Sequence, residues 1–114
     1  RIQKVRNGEV DAAVLAAACL ERVGRAGEAV QALATEIVVP APAQGALAVE
    51  CRTDSPLLAT IARLDHTPTR LAVTAEREVL AAVQAACTTA VGAFATWTGD
   101  ALSLVADLAD HAGV

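Results

Sequence analysis

The sequence predicts an α+β fold class, and three observations predict it. Thr67 caps and Pro68 opens a long helical pattern in which Leu71, Ala75, Val79, Val83 and Cys87 fall on one stripe. Ala90 to Trp97 and Ala101 to Leu108 have strand character, and Thr98-Gly99-Asp100 between them is a hairpin turn, so their sheet is antiparallel. Asp11 to Ala18 is an unbroken small-apolar run of strand length, which fits a strand covered on both faces.

Composition sets the bounds. Hydrophobic residues make up 54% of the 114, yet Phe94 and Trp97 are the whole aromatic complement. Alanine buries little area per residue, so the expected core is shallow. A net charge of −4 without basic clusters argues against nucleic acid or an anionic membrane as partner. The longest uncharged apolar run, Ala12 to Leu20, is too short to span a bilayer and is not placed like a signal peptide. Cys19, Cys51 and Cys87 are too widely spaced for a local metal site, and their odd number suits reduced thiols in the cytoplasm. No Gly-rich phosphate loop, zinc spacing or internal repeat is present. There is no methionine, the chain opens on mid-helix sequence and it stops after a turn signal, so a piece of a longer protein is expected.

In chain order, Arg1 to Asn7 reads as a helical end stopped by Gly8, and Cys19 to Val23 as a helical turn stopped by Gly24. Gly27 to Ala34 is a weak helix. Glu36 to Val39 is a β-branched strand ended by Pro40, and PAPAQG (Pro40 to Gly45) is a tight connector whose prolines preset the backbone. Ala46 to Cys51 alternates as a half-buried strand, with Cys51 a core residue. Ser55 caps a helix with Pro56 at its first position, and Leu57, Ile61 and Leu64 share one face. On the long helix, Glu76, Arg77, Glu78 and Gln84 lie off the apolar stripe, and His66 before it is a polar loop residue. Asp110 to Gly113 would turn towards a further strand.

Two residues carry chemistry. Cys87 is a thiol at a helix-to-loop exit, where scaffolded function concentrates. By itself a cysteine among alanines is more often a small buried hydrophobe, and a helix C-terminus opposes thiolate formation. Arg22 follows the Asp11 to Ala18 run, at the end of a strand where open α/β sheets bind ligands, but the residues alone favour a solvated surface charge.

RIQKVRNGEVDAAVLAAACLERVG, IVVPAPAQGALAVECR, LDHTPTRLAVTAERE and AACTTAVGAF, in this order and spacing, resemble the hydroxymethylbilane synthase (porphobilinogen deaminase) family across nearly the whole chain. The resemblance implies a transferase of tetrapyrrole (heme) biosynthesis that joins four porphobilinogen units into hydroxymethylbilane with release of ammonia. Its dipyrromethane cofactor is held by a thioether to one cysteine, which corresponds to Cys87, and no metal is involved. Arg1 and Arg22 correspond to arginines that bind carboxylates of cofactor and substrate, and Gln44 in the connector lies near the cofactor.

The implied layout is residues 1–45 as the end of a periplasmic-binding-protein-like second α/β domain with its hinge. Residues 46–66 form a strand and helix returning towards a first domain. Residues 67–114 begin a small C-terminal α+β domain that carries the cofactor cysteine. The catalytic aspartate belongs to the first domain, so none of the catalytic residues lies in this chain and the piece alone is expected to be inactive. The parent is expected to be monomeric, whereas unpaired strand edges would favour self-association of the piece. Ala85-Ala86 stand where the family often has Gly-Gly before the cysteine. Without the resemblance, a non-catalytic small-molecule-binding module and a purely structural α+β module remain the alternatives.

Overall fold

The computed structural model describes residues 1–86 and 89–109, which divide into two compact units, one of residues 1–33 and one from residue 34 onward. The first unit is helical. Helix α1 spans Ile2–Arg6 and α2 spans Ala17–Arg22, followed by a 3-10 turn over Ala26–Glu28. Both helices stop as the sequence predicts, at Gly8 and Gly24 in the left-handed region (φ +72° and +69°). At α1 the N–H of Gly8 donates to Val5 O and that of Glu9 to Lys4 O. At α2, Gly24 donates to Glu21 O and Arg25 to Leu20 O. These paired bonds form the Schellman motif, which satisfies the last carbonyls of a helix.

Four expected elements in the first 51 residues are not formed. The Asp11–Ala18 run is irregular up to Ala16, and its last two residues enter α2. A strand needs neighbours on both edges and cover on both faces. Alanine without them is the best helix former. The weak helix over Gly27–Ala34 shrinks to the 3-10 turn. Ala46–Cys51 lies outside regular secondary structure, with Leu47 86% exposed, because no strand among the described residues pairs with it.

The second unit is built around α4, Thr67–Ala82, and a hairpin of β1, Ala90–Trp97, and β2, Leu102–Ala109. Before them stands a short α3, Leu58–Ile61, which tightens into a 3-10 turn over Ala62–Leu64. Ser55 Oγ accepts from Leu57 N–H at 3.2 Å, so the predicted cap closes a turn two residues before the observed N-cap, Leu57, and Pro56 lies ahead of the helix. The cap of α4 is His66 rather than Thr67, which places Pro68 at the second helical position, and His66 Nδ1 meets Thr69 Oγ1 at 2.8 Å. The hairpin is antiparallel, from Trp97 opposite Leu102 to Ala90 opposite Ala109. Its loop closes through Thr98 N–H to Ala101 O at 3.0 Å, with Gly99 at φ +94°. The expected further turn at residues 110–113 lies outside the described residues.

Helix α4 packs on β1, where Ala93 and Ala95 are buried. No large side chain among the described residues is fully buried. Leu104 and Ala106 sit opposite Ala95 and Ala93 and so share their face. They nevertheless stay exposed along with the rest of β2. β2 forms a strand as predicted, but every one of its residues stays exposed. The expected Glu36–Val39 strand is a turn, in which Ala34 O accepts from Ile37 and Val38 N–H. Beyond it, Pro40 O accepts from Ala93 N–H at 2.9 Å. Proline has no N–H to return, so the contact does not extend into a ladder. Gly92 permits this approach, since a Cβ there would lie 2.9 Å from both Val39 Cβ and Val39 O.

Candidate functional site

The connector Pro40–Gly45 folds as a tight turn. Gln44 N–H donates to Ala41 O at 2.9 Å and Ala46 N–H to Ala43 O at 3.2 Å. Gly45 takes φ +88°, and Ala43 takes φ +64°, a left-handed conformation that costs a residue with a Cβ about 1 kcal/mol. Ala43 is held there by Glu76 of α4, whose Oε2 accepts the Ala43 N–H at 2.6 Å. The other oxygen, Oε1, accepts the N–H of Ala95 on β1 at 2.8 Å. Glu76 is only 6% exposed, and among the described residues no cation pairs with it. A buried carboxylate is stable when its lone pairs meet donors, and here two backbone amides supply them.

Ala93 and Ala95 are two residues apart on a strand, so their N–H groups point to the same edge. That edge, away from β2, is closed by the Pro40 carbonyl and by the Glu76 carboxylate. Glu76 therefore ties three stretches together: the connector turn, the middle of α4 and the middle of β1.

Helix α4 ends as α1 and α2 do. Gln84 N–H donates to Ala81 O and Ala85 N–H to Leu80 O, another Schellman pair, but the left-handed position (φ +50°) is held by Gln84 instead of glycine. Just beyond, Ala86 N–H donates to Thr89 Oγ1 and Thr89 N–H to Ala86 O, each at 2.9 Å. These two residues bracket Cys87, which with Thr88 lies outside the described residues.

In the unit of residues 1–33, four arginines divide into two pairs. Arg6 and Arg25 both engage Glu28, Arg25 through Nε and Nη2. The side-chain hydrogen bond from Arg25 holds the Glu28 carboxyl below its ordinary value; partial desolvation opposes this, and the charges of Arg25 and Arg6 add to it. Arg1 and Arg22 are exposed and have no carboxylate partner among the described residues. Free guanidinium groups suit a ligand rich in carboxylates.

Of the residues singled out from sequence, Arg1 and Arg22 share one unit and Gln44 stands exposed in the other. Sequence reading missed Glu76, having set it off the apolar stripe. The signal was its spacing, four residues after Ala72 and four before Leu80, both half-buried on α4. Cys51 is half-buried and Cys19 exposed on α2, both as free thiols. A groove of about 440 Å³ is lined by Leu47, Val49, Ile61, His66, Arg70 and Arg77 among others. Among the described residues there is no cluster able to hold a metal ion and no helix long and apolar enough to cross a membrane.

Residues 1–60 match the family model described as "Porphobilinogen deaminase, dipyromethane cofactor binding domain". Porphobilinogen deaminase 1 of Streptomyces coelicolor is 55% identical over 101 residues, covering 88% of this chain and 32% of its own length. Porphobilinogen deaminase of Mycobacteroides abscessus is 52% identical over 96 residues, covering 83% and 31%. That of Thermobifida fusca is 49% identical over 102 residues, covering 88% and 32%. The chain thus spans about a third of the length of the curated relatives it matches.

Proposed function

The chain belongs to the porphobilinogen deaminase family, and from that premise we propose that it serves a full-length cytoplasmic transferase of tetrapyrrole biosynthesis. That protein joins four porphobilinogen units into hydroxymethylbilane and releases ammonia. The dipyrromethane cofactor supplies a covalent anchor on which the pyrroles are assembled, and Cys87 holds it by a thioether. Arg1 and Arg22 bind carboxylate arms of cofactor and substrate, and Gln44 lies beside the cofactor. The observation that carries this reading is the division of the arginines in residues 1–33. The pair assigned to ligand carboxylates is the pair without a carboxylate partner among the described residues, while Arg6 and Arg25 are spent on Glu28.

In this reading residues 1–45 end a periplasmic-binding-protein-like α/β domain and its hinge, and 67–114 begin the C-terminal α+β domain. Residues 46–66 return towards the first domain, which would cover Leu47 and Val49 in their groove. The remaining two-thirds of the relatives' length holds the catalytic aspartate, so this chain alone does not turn over substrate.

Peptide mapping of the full-length protein tests the assignment. A dipyrromethane adduct is expected on Cys87, absent in Cys87→Ser along with nearly all activity, and retained in Cys19→Ser and Cys51→Ser. An adduct on Cys19 or Cys51, or an active Cys87→Ser protein, refutes it. Arg1→Ala or Arg22→Ala is expected to weaken cofactor loading or elongation roughly ten- to a hundredfold, the worth of one charge-assisted hydrogen bond. Normal loading and turnover in both variants would remove their carboxylate role.

A further inference from the structure

We propose that Glu76 is a positioning residue for this reaction, acting through the connector turn that carries Gln44. The inference rests on the placement of Gln44 beside the cofactor and adds a residue that touches neither cofactor nor substrate.

Three observations support it. First, Glu76 is buried in a helix yet spends its carboxylate on two distant backbone amides, Ala43 N–H at 2.6 Å and Ala95 N–H at 2.8 Å. A leucine or alanine would fill that helix position with no charge to bury, so the carboxylate is present for the bonds it makes. Second, the amide it grips belongs to Ala43, which sits at φ +64° directly before Gln44. A left-handed alanine persists when its surroundings over-determine it, and such outliers gather at sites where geometry matters. Third, the same carboxylate is anchored on β1, which follows the segment containing Cys87, and on α4, which precedes it. One side chain thereby sets the Gln44 turn against both elements that flank the attachment cysteine.

The substitution that probes this is Glu76→Gln. A glutamine amide has one accepting oxygen, so its NH2 faces one of the two N–H donors and one bond is lost at nearly constant size. The full-length protein is studied in three steps. Mass spectrometry of the unsubstituted protein first establishes the adduct on Cys87; its absence sinks the proposed function and leaves the geometry of Glu76 untouched. Hydrogen exchange then follows the amides of Ala43 and Ala95. Turnover of porphobilinogen is finally measured per cofactor-loaded molecule, alone and combined with Gln44→Ala.

The expected result is faster exchange at Ala43 or Ala95, an adduct still on Cys87, and turnover per loaded molecule down roughly tenfold, as for a lost bond to a charged group. Gln44→Ala should add little on top, because residues acting through one another are not additive. A purely stabilising Glu76 would lower the melting temperature while loaded molecules turn over normally, and that outcome overturns the proposal. Losses that multiply in the double variant overturn it as well. If Glu76→Gln does not fold, Glu76→Asp replaces it. One methylene shorter, it keeps the charge but cannot span both amides, and the same non-additive loss is expected at smaller amplitude. Normal turnover of the loaded Asp variant is again decisive against the role.

Discussion

Residues 1–33 and the α4–β1 assembly hold themselves together by different means. The first unit buries one residue, Leu20, and relies on short-range devices: two Schellman caps and the exposed cluster of Arg6, Arg25 and Glu28. The α4–β1 assembly instead closes over Glu76, whose two bonds reach 33 residues back and 19 residues forward along the chain. Exposed ion pairs and caps contribute little each, and they hold a segment in shape without fixing it to distant chain. A buried carboxylate shared by two amides does the reverse. It costs desolvation and is stable only when both distant partners arrive, so it specifies a tertiary arrangement.

Breaking the long-range side of this contrast should have the largest effect. Glu76→Ala leaves the N–H groups of Ala43 and Ala95 without their acceptor, and a loss of about 2–5 kcal/mol is expected for two such groups in urea denaturation of the full-length protein. Gly92→Ala comes next. Its Cβ would press on Val39 O, a backbone atom that cannot rotate away, and would pull Ala93 from Pro40. A loss of about 1–3 kcal/mol is expected by the same measurement, as for other overpacked sites.

The caps sharpen the comparison, because one motif closes α1, α2 and α4 with different residues at the left-handed position. Gln84→Gly relieves left-handed strain of about 1–2 kcal/mol against an entropic cost of about 0.5–1 kcal/mol. A net stabilisation of about 0.5–1 kcal/mol is therefore expected, whereas Gly24→Ala should destabilise. A Gln84→Gly protein no more stable than its parent would mean that the glutamine side chain offsets its own backbone strain. The smallest effect is the titration of Glu28. Its carboxyl lies below the ordinary value chiefly through the Arg25 hydrogen bond, so the pair's contribution is present at neutral pH. That contribution is lost as pH falls through the lowered value. In an NMR titration Arg25→Gln should move the Glu28 midpoint up towards that of an ordinary glutamate.

Wherever the determinant is local, the chain announces it. The glycine stops at Gly8 and Gly24, the Thr98–Asp100 turn and the long helix beginning at Thr67-Pro68 all depend on backbone preferences within a few residues. β1 has the predicted bounds, and β2 is displaced from them by one residue. The motifs that reveal the family are likewise legible as strings. Segments such as Asp11–Ala18 and Ala46–Cys51 carry strand-like patterns, but a pattern becomes a strand only when a partner supplies the ladder, and none among the described residues does. Tertiary structure alone decided the burial of Glu76. On a helical wheel it falls between Ala72 and Leu80, on the half-buried side, but periodicity records which face a residue occupies and not what comes to meet it. The amides of Ala43 and Ala95 are main-chain donors that every residue but proline carries, so no letter in the sequence marks them as the partners that make a buried charge stable.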